Sequence, residues 1–378
     1  MHFAFTDEQE QFRASVQRFL RERSPITAVR STMETTLGYD RALWRQLCDE
    51  LGLPGIQVPE ALGGQGFGFV ELCIALEEMG RALLCAPFFA SSVLATQALL
   101  NGATEAQQLE LLPAIASGQR IATLAWVESN GRWDPGGIAL TATPVGAGYR
   151  LDGEKKFVLD GDHAEIILVA ARAPGSVGAA GLSLLMVEAE APGLERHPLQ
   201  TLDATRRQAA LRFNGVSARL LGEAGNGGAA LALTLDQAAV ALASEMVGGT
   251  AALLDSAVAY AKIRMQFGRP IGSFQAIKHQ CAELLLAQEL TAAAARYAAA
   301  AVAENAPDVP ALAALAKARA SDTYVQAAVE CIQIHGGVGF TWDHDAHLWF
   351  KRAKTSQVLL GDANYHRERY LAQLEACA

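Results

Sequence analysis

Two long Ala-rich stretches flank the segment Arg264-Met265-Gln266-Phe267-Gly268-Arg269-Pro270-Ile271-Gly272-Ser273-Phe274-Gln275, and that segment dictates how the second half of the chain can fold. Glycine frees φ and proline removes a backbone donor, so Gly268, Pro270 and Gly272 together stop one helix and oblige another to start. Ser273 is placed to cap the second helix by accepting from its first unpaired N–H groups. A cation, an amide and an aromatic ring are thereby fixed at a helix–helix junction. Further on, Gln333-Ile334-His335-Gly336-Gly337-Val338-Gly339-Phe340 reads as a helix end followed by a Gly-rich bend whose bare backbone admits a ligand closely.

The rest of the chain falls into three parts. From Thr6, a cap, apolar residues recur at helical spacing (Phe12, Val16, Phe19, Leu20), and further helices are expected at Arg41 to Leu51, Val70 to Leu84 and Phe88 to Leu100. The Gly- and Pro-rich stretch from Leu53 to Gly66 is a loop, and Leu111 to Gly118 marks a boundary. From about Ile121 the pattern changes to short β-favouring runs, Ile121 to Val127, Gly148 to Leu151, Lys156 to Leu159, Glu165 to Ala171, Leu182 to Val187 and Ala209 to Phe213, which predicts an antiparallel β domain. From about Gly227 the chain is helical again, with breaks at 268–272, 307–310 and 336–339. The expected organisation is multidomain α+β: an N-terminal helical domain (1–119), a β-barrel-like middle domain (120–225) and a C-terminal four-helix-bundle domain (226–378).

A net charge of −9 leaves no basic field for nucleic acid or an anionic membrane, so any phosphate-bearing ligand must be held by local Arg, Lys and backbone N–H groups. Asp236, Gln237 and Glu245 interrupt the apolar run from Ala229 to Leu254, marking a buried helix and not a membrane span. Six scattered cysteines, Cys48, Cys73, Cys85, Cys281, Cys331 and Cys377, contain no C-x-x-C pair, and the start at Met1 has no basic-then-apolar leader. Both features predict a cytoplasmic protein with reduced thiols. No metal-ligand spacing is present.

The Arg264 and Gln333 stretches, in this order, resemble the flavin-binding segments of the acyl-CoA dehydrogenase family. The resemblance extends to Val58-Pro59-Glu60, Gly63-Gly64-Gln65-Gly66 and Leu76-Glu77-Glu78-Met79-Gly80-Arg81, and to the helical, β, helical order of the whole chain. It implies FAD as cofactor, an acyl-CoA thioester as substrate, α,β-desaturation as the reaction, and a dimer or tetramer. In the family, Arg264, Gln266, Phe274, Gln275, Gln333, Ile334, His335, Gly336 and Gly337 would reach the ADP half of a neighbouring subunit's FAD. A carboxylate removes the α-proton while the β-hydrogen leaves as hydride to the flavin. The thioester carbonyl is held by a ribityl hydroxyl and by the backbone N–H of the base residue.

The base itself is missing from both of its family positions. Where relatives carry Tyr-Glu-Gly-Thr this chain reads Leu359-Leu360-Gly361-Asp362, and where a minority carries Leu-Asp-x-Glu-Arg it reads Leu235-Asp236-Gln237-Ala238-Ala239. Leu360 and Ala238 cannot take a proton, although the Leu360 N–H, with Gly361 and Asp236, remains on the substrate side. Glu245 lies about 10 Å along the helix from Ala238, and is a candidate base or the partner of a buried Arg or His. Asp362 is a candidate base or the N-cap of the last helix. His335 and His366 are weaker candidates, since such histidines more often serve as hydrogen-bonded structural residues.

The β domain departs from the family too. Val127-Glu128-Ser129-Asn130-Gly131-Arg132-Trp133-Asp134 replaces the Thr-Glu-Pro-x-Ala-Gly-Ser-Asp loop, and Phe157-Val158-Leu159 replaces Trp-x-Thr. Residues that act across subunits are kept while those that act within one are eroded. The resemblance is therefore to bacterial subunits lacking the catalytic Glu, and three functions stand open: a dehydrogenase with a relocated base, a silent subunit beside a Glu-bearing partner, or another flavin enzyme on this fold. Phe88, Ser91, Ser92 and Ala95, which would line the acyl pocket, are mostly small and partly polar, which suits a wide or oxygenated acyl group.

Overall fold

A computed structural model describes residues 5–377; the leader expectation at Met1–Ala4 and the side chain of Cys377 lie outside them. The first helices are α1 (Asp7–Arg23), α2 (Ile26–Met33), α3 (Arg41–Asp49) and α4 (Phe69–Arg81). Thr6 caps α1 by accepting from the Gln9 N–H while Gln9 returns the bond, and Asp40 caps α3 through the N–H groups of Ala42 and Leu43. Next, Phe89–Ala95 winds as a π-helix into α5 (Thr96–Gly102), and α6 (Glu105–Ala116) follows with its own capping box at Thr104.

Seven strands come next: β1 (Ala122–Ala125), β2 (Thr141–Val145), β3 (Gly148–Leu159), β4 (Ile166–Arg172), β5 (Leu182–Glu188), β6 (Leu194–Pro198) and β7 (Gln208–Leu221). Their order is β1-β4-β2-β3-β7-β5, with β6 added on β7 and a β4–β5 pairing that closes the sheet on itself. The sheet is antiparallel except at β4, which β1 and the first residue of β2 join in parallel. This corrects the wholly antiparallel expectation: the long excursion through β2 and β3 returns β4 in the direction of β1. The two pieces expected at 148–151 and 156–159 are one strand, since pairing with β7 continues across two bulges. Buried Leu140, Leu151, Ile167, Val169, Leu211 and Phe213 lead the cluster at its centre.

The chain then forms α7 (Gly227–Ile263), the hairpin β8 (Met265–Gln266) and β9 (Arg269–Pro270), α8 (Gln275–Ala303), α9 (Val309–His335), α10 (Ala346–Val358) and α11 (Ala363–Cys377). Helix α7 is long and apolar enough to cross a membrane, but 78% of its most apolar window is buried inside the protein. Two compact units result: Met1–Ser31 with Phe69–Leu84 and Ala239–Ala378, and Thr32–Gly68 with Cys85–Ala238. In the first unit α9 packs against α8, α10 and α11, and α4 against α1 and α8. Small residues permit this packing: a Cβ on Gly80 would lie 1.9 Å from the Glu245 carbonyl oxygen, and one on Gly248 would lie 1.6 Å from that of Glu77.

Candidate functional site

The Arg264 and Gln333 segments meet at the end of α7. Tyr260, one turn before Arg264, stacks on His335 with ring centroids 4.3 Å apart, and His344 covers the ring at the same distance. His335 Nδ1 lies 2.7 Å from the Cys331 carbonyl, which fixes the ring plane. In the hairpin, Phe267 turns at φ 52° and its ring packs edge-on against Phe274 at 6.0 Å, while the Arg269 guanidinium lies 4.1 Å above the Phe274 ring. The Arg264 carbonyl accepts from the Ile271 N–H at 2.8 Å and closes the loop.

Ser273 does not cap α8. The Phe274 N–H bonds the Ile271 carbonyl at 3.1 Å, which makes a tight turn and leaves Phe274 in the cap position. The Ser273 hydroxyl is buried without a hydrogen-bond partner among the described residues.

What the junction presents outward is polar and bare. Arg264, Gln266, Gln275, Gln333, Gly336 and Gly337 are exposed, while Ile334 and His335 are buried beneath them. Arg264 makes no ion pair or side-chain hydrogen bond with a described residue. Gly336 has φ 66° and ψ −147°, a conformation open in practice to glycine alone. A Cβ built on Gly336 or Gly337 would meet nothing within 4 Å. An unneutralised guanidinium beside uncovered backbone is a donor set suited to a diphosphate, so these residues fit the ADP half of FAD. Ile263, Met265 and Phe267 are exposed in the same stretch, and a groove of about 670 Å³ lined by Ile263 and Leu285 runs between the end of α7 and α8.

Leu360 is buried at φ 64° in the turn between α10 and α11, followed by Gly361 at φ 101°. Leu359 donates to the Thr355 carbonyl (3.0 Å) and Gly361 to that of Val358 (3.1 Å), so the Leu360 N–H stands outside the helical ladder. Asp362 is exposed and accepts from the Tyr365 N–H at 2.8 Å as the cap of α11. Glu245 is buried and pairs with buried Arg352 at 3.0 Å. His366 Nε2 faces the Leu360 carbonyl at 3.0 Å; burial, then the charge of Lys317, pushes its pKa down to about 3. Asp236 and Ala238 are buried on the first part of α7, in the other unit.

In the β domain Glu128 is a structural staple. It accepts from the N–H groups of Ala139 and Leu140 and pairs at 2.7 Å with fully buried Lys155, whose pKa burial pushes down to about 8. Phe157 sits at φ 54° on the β3 bulge with 42% of its surface exposed, so an aromatic face is still offered there. In the π-helix, the Ser91 hydroxyl accepts from the Ala122 N–H, whereas the Ser92 hydroxyl is buried without a partner among the described residues. Sequence reasoning passes over Tyr260, Arg269 and Lys317. Only Lys317, the first cation after the Ala-rich stretch from Pro310 to Ala316, carries a signal.

The helical, β, helical order is that of a three-part flavoprotein dehydrogenase fold, and the exposed arginine and glycine bend have donors that fit a diphosphate. The family descriptions "Acyl-CoA dehydrogenase, N-terminal domain", "middle domain" and "C-terminal domain" match residues 6–119, 123–216 and 225–374. Acyl-CoA dehydrogenase IpdE2 of Mycobacterium tuberculosis is 36% identical over 354 residues, covering 94% of this chain and 93% of the relative. The protein of the same name from Mycolicibacterium smegmatis is 32% identical over 371 residues, covering 98% and 99%. Among solved structures, a Tcur3481-Tcur3483 steroid ACAD variant superposes with a TM-score of 0.88 at 32% identity, covering 98% of this chain and 99% of that one. The ChsE4-ChsE5 complex of Mycobacterium tuberculosis gives 0.88 at 28%, covering 99% of each chain, and butyryl-CoA dehydrogenase of Megasphaera elsdenii gives 0.91 at 28%, covering 99% and 100%. The chain belongs to the acyl-CoA dehydrogenase family. Its activity class is that of an FAD-dependent oxidoreductase that desaturates acyl-CoA thioesters.

Proposed function

We propose that this chain is the subunit of a mixed acyl-CoA dehydrogenase that lacks the α-proton base, and that a partner of the same fold carries the carboxylate. The observation behind this reading is that the nearby acids are already committed. Glu245 is neutralised by Arg352 at 3.0 Å and Asp362 caps α11, while Leu360 and Ala238 are apolar and buried. The neighbours described as Tcur3481-Tcur3483 and ChsE4-ChsE5 carry two-chain names, which supports a paired assembly.

Bound FAD would supply the acceptor for the substrate's β-hydrogen. On this chain, Arg264 and the exposed backbone at Gly337 would hold the diphosphate of a neighbouring subunit's FAD, with Gly336, Gln266, Phe274, Gln275 and Gln333 around it. His335, wedged between Tyr260 and His344, and Ile334 would fix the floor beneath. The Leu360 N–H would donate to the carbonyl of a thioester held on this chain, with Gly361 beside it. The small Ser91, Ser92 and Ala95, together with the steroid description of one neighbour, support a bulky acyl group. Five free cysteines among the described residues are compatible with a reducing compartment.

The test is anaerobic stopped-flow reduction of FAD by short, branched, aromatic and steroid-like CoA esters, with the chain alone and with a Glu-bearing dehydrogenase chain encoded beside it. Fast reduction is expected only with the partner. Fast reduction by the chain alone, lost in Glu245→Gln or Asp362→Asn with ester binding intact, would replace this reading with a relocated base.

A further inference from the structure

We infer that Arg30 is a positioning residue for the glycine bend: from α2 it ties down the link between that bend and α10, and so holds Gly337 where the FAD diphosphate would meet it. The inference rests on the role proposed above for the bend.

The link, residues 341–345, has little structure of its own. The Thr341 N–H bonds back to the Val338 carbonyl at 3.0 Å, and the His344 N–H reaches the Thr341 carbonyl only at 3.3 Å. Asp345 stands at the start of α10, yet its side chain makes no cap bond. A residue far away in sequence supplies what is missing. Arg30 Nε pairs with Asp345 Oδ1 at 2.7 Å, and Nη2 donates to the carbonyls of Trp342 at 2.8 Å and His344 at 3.1 Å. The same guanidinium lies 5.7 Å from the centre of the Trp342 ring. A planar fork of donors can hold a carboxylate and two carbonyls of one segment together, which the compact ammonium of a lysine cannot.

What the link holds in turn is the floor of the bend. The His344 ring covers that of His335 at 4.3 Å, and His335 stacks on Tyr260 at the same distance. His335 is the last residue of α9, so its peptide leads directly into Gly336. The bend has no cover of its own: Gly336, Gly337, Val338 and Phe340 are exposed, and a Cβ on either of the two glycines would meet nothing within 4 Å. Its placement therefore depends on its two ends, α9 on one side and the Arg30-bound link on the other. Asp345 neutralises the Arg30 charge, which leaves geometry and not a positive field as the route to the diphosphate. A part-exposed ion pair of this kind adds little to the stability of the fold.

The test uses the assembled protein, this chain with its Glu-bearing partner, in FAD-loaded and FAD-stripped forms. Fluorimetric FAD titration reads retention, hydrogen exchange of the stripped form reads the amides of 336–345, and urea unfolding reads the fold. Arg30→Ala and Arg30→Lys are both expected to weaken FAD retention roughly tenfold and to speed exchange across 336–345, with the unfolding midpoint close to wild type. Added ethylguanidinium is expected to restore part of the retention in Arg30→Ala. Arg30→Ala combined with Gly337→Ala is expected to lose less than the product of the two single effects, since both act on one bend. Wild-type retention in Arg30→Lys would overturn the positioning role in favour of plain charge. Arg30→Ala that keeps FAD, or keeps wild-type exchange across 336–345, while Gly337→Ala and Arg264→Ala lose FAD would also overturn it. Wild-type retention in Gly337→Ala and Arg264→Ala would instead overturn the underlying reading of the bend. Should Arg30→Ala fail to fold, Arg30→Lys, which keeps the stem and the charge, decides by the same criteria.

Discussion

Glu245 and Arg352 face each other at 3.0 Å with both side chains buried, and Arg352 also donates to the Leu84 carbonyl at 3.3 Å. A carboxylate in this setting is a structural counter-ion: its charge balances a guanidinium that the bundle core would otherwise hold uncompensated.

Glu245→Gln should therefore destabilise the fold by about 3–5 kcal/mol, the usual cost of removing one partner of a buried pair. Partner-complemented flavin reduction per folded molecule should stay within a few-fold of wild type. Replacing both residues, Glu245→Leu with Arg352→Met, should cost less than either single change. Urea unfolding of these variants measures the order, and a Glu245→Gln protein as stable as wild type would mean the pair is not what holds Arg352.

Restoring the base should restore chemistry. Leu360→Glu places a carboxylate at the family position while keeping the backbone N–H, and general-base assistance is worth roughly 10²–10⁴-fold. The expected result is faster anaerobic flavin reduction by saturated acyl-CoA in the isolated, FAD-loaded variant than in wild type. No acceleration, with FAD and ester demonstrably bound, would show that more than the base is missing.

The glycine bend offers a separation of folding from binding. Gly336→Ala puts a Cβ on a backbone at φ 66°, ψ −147° and should cost about 1–3 kcal/mol. Gly337→Ala meets open space, so its unfolding midpoint should be unchanged or slightly raised. If the bend lies against FAD, the added methyl and Arg264→Ala should each weaken FAD retention roughly tenfold, about 1.4 kcal/mol. Fluorimetric FAD titration of the assembled protein measures this, and Gly337→Ala with wild-type retention would remove the bend from the site.

Helices with caps and regular spacing, α1 and α3 among them, were legible because their signals are local. So were the Arg264 and Gln333 motifs, and the alternatives weighed for Glu245 and Asp362 include the pairing and capping now seen. What escaped depends on distant partners. Pro144 makes β2 read as loop, and the charged run Glu195-Arg196-His197 hides β6, yet β3 and β7 recruit both strands. Ser273 looked like a cap because cap chemistry is local, but the preceding tight turn shifts the helix start past it. Lys317 reads as a solvated lysine until α10 and α11 are folded against α9, and the stacking of Tyr260 on His335 joins helices far apart in sequence.

The acid limb of stability should belong in good part to His366. Burial and the nearby Lys317 depress its pKa from 6.5 to about 3 in the folded protein. Above pH 6.5 the ring is neutral in both states and contributes nothing to the pH dependence. Between 6.5 and about 3 the unfolded chain binds a proton that the folded chain refuses, so stability falls as pH falls, with a slope of at most about 1.4 kcal/mol per unit. Lys317, depressed from 10.5 to about 7, and Lys155, depressed to about 8, act in the same sense at higher pH. In that alkaline range the unfolded chain again holds the extra protons, so stability rises with pH until about 10.5. His366→Gln should flatten the slope between pH 4.5 and 6.5 and leave the slope between 7.5 and 9.5 intact. Urea midpoints across both ranges, taken as differences from wild type, cancel the carboxylates that titrate in common. An unchanged acid slope in His366→Gln would mean that the ring is not kept neutral in the folded protein, although an imidazolium would still donate from Nε2 to the Leu360 carbonyl.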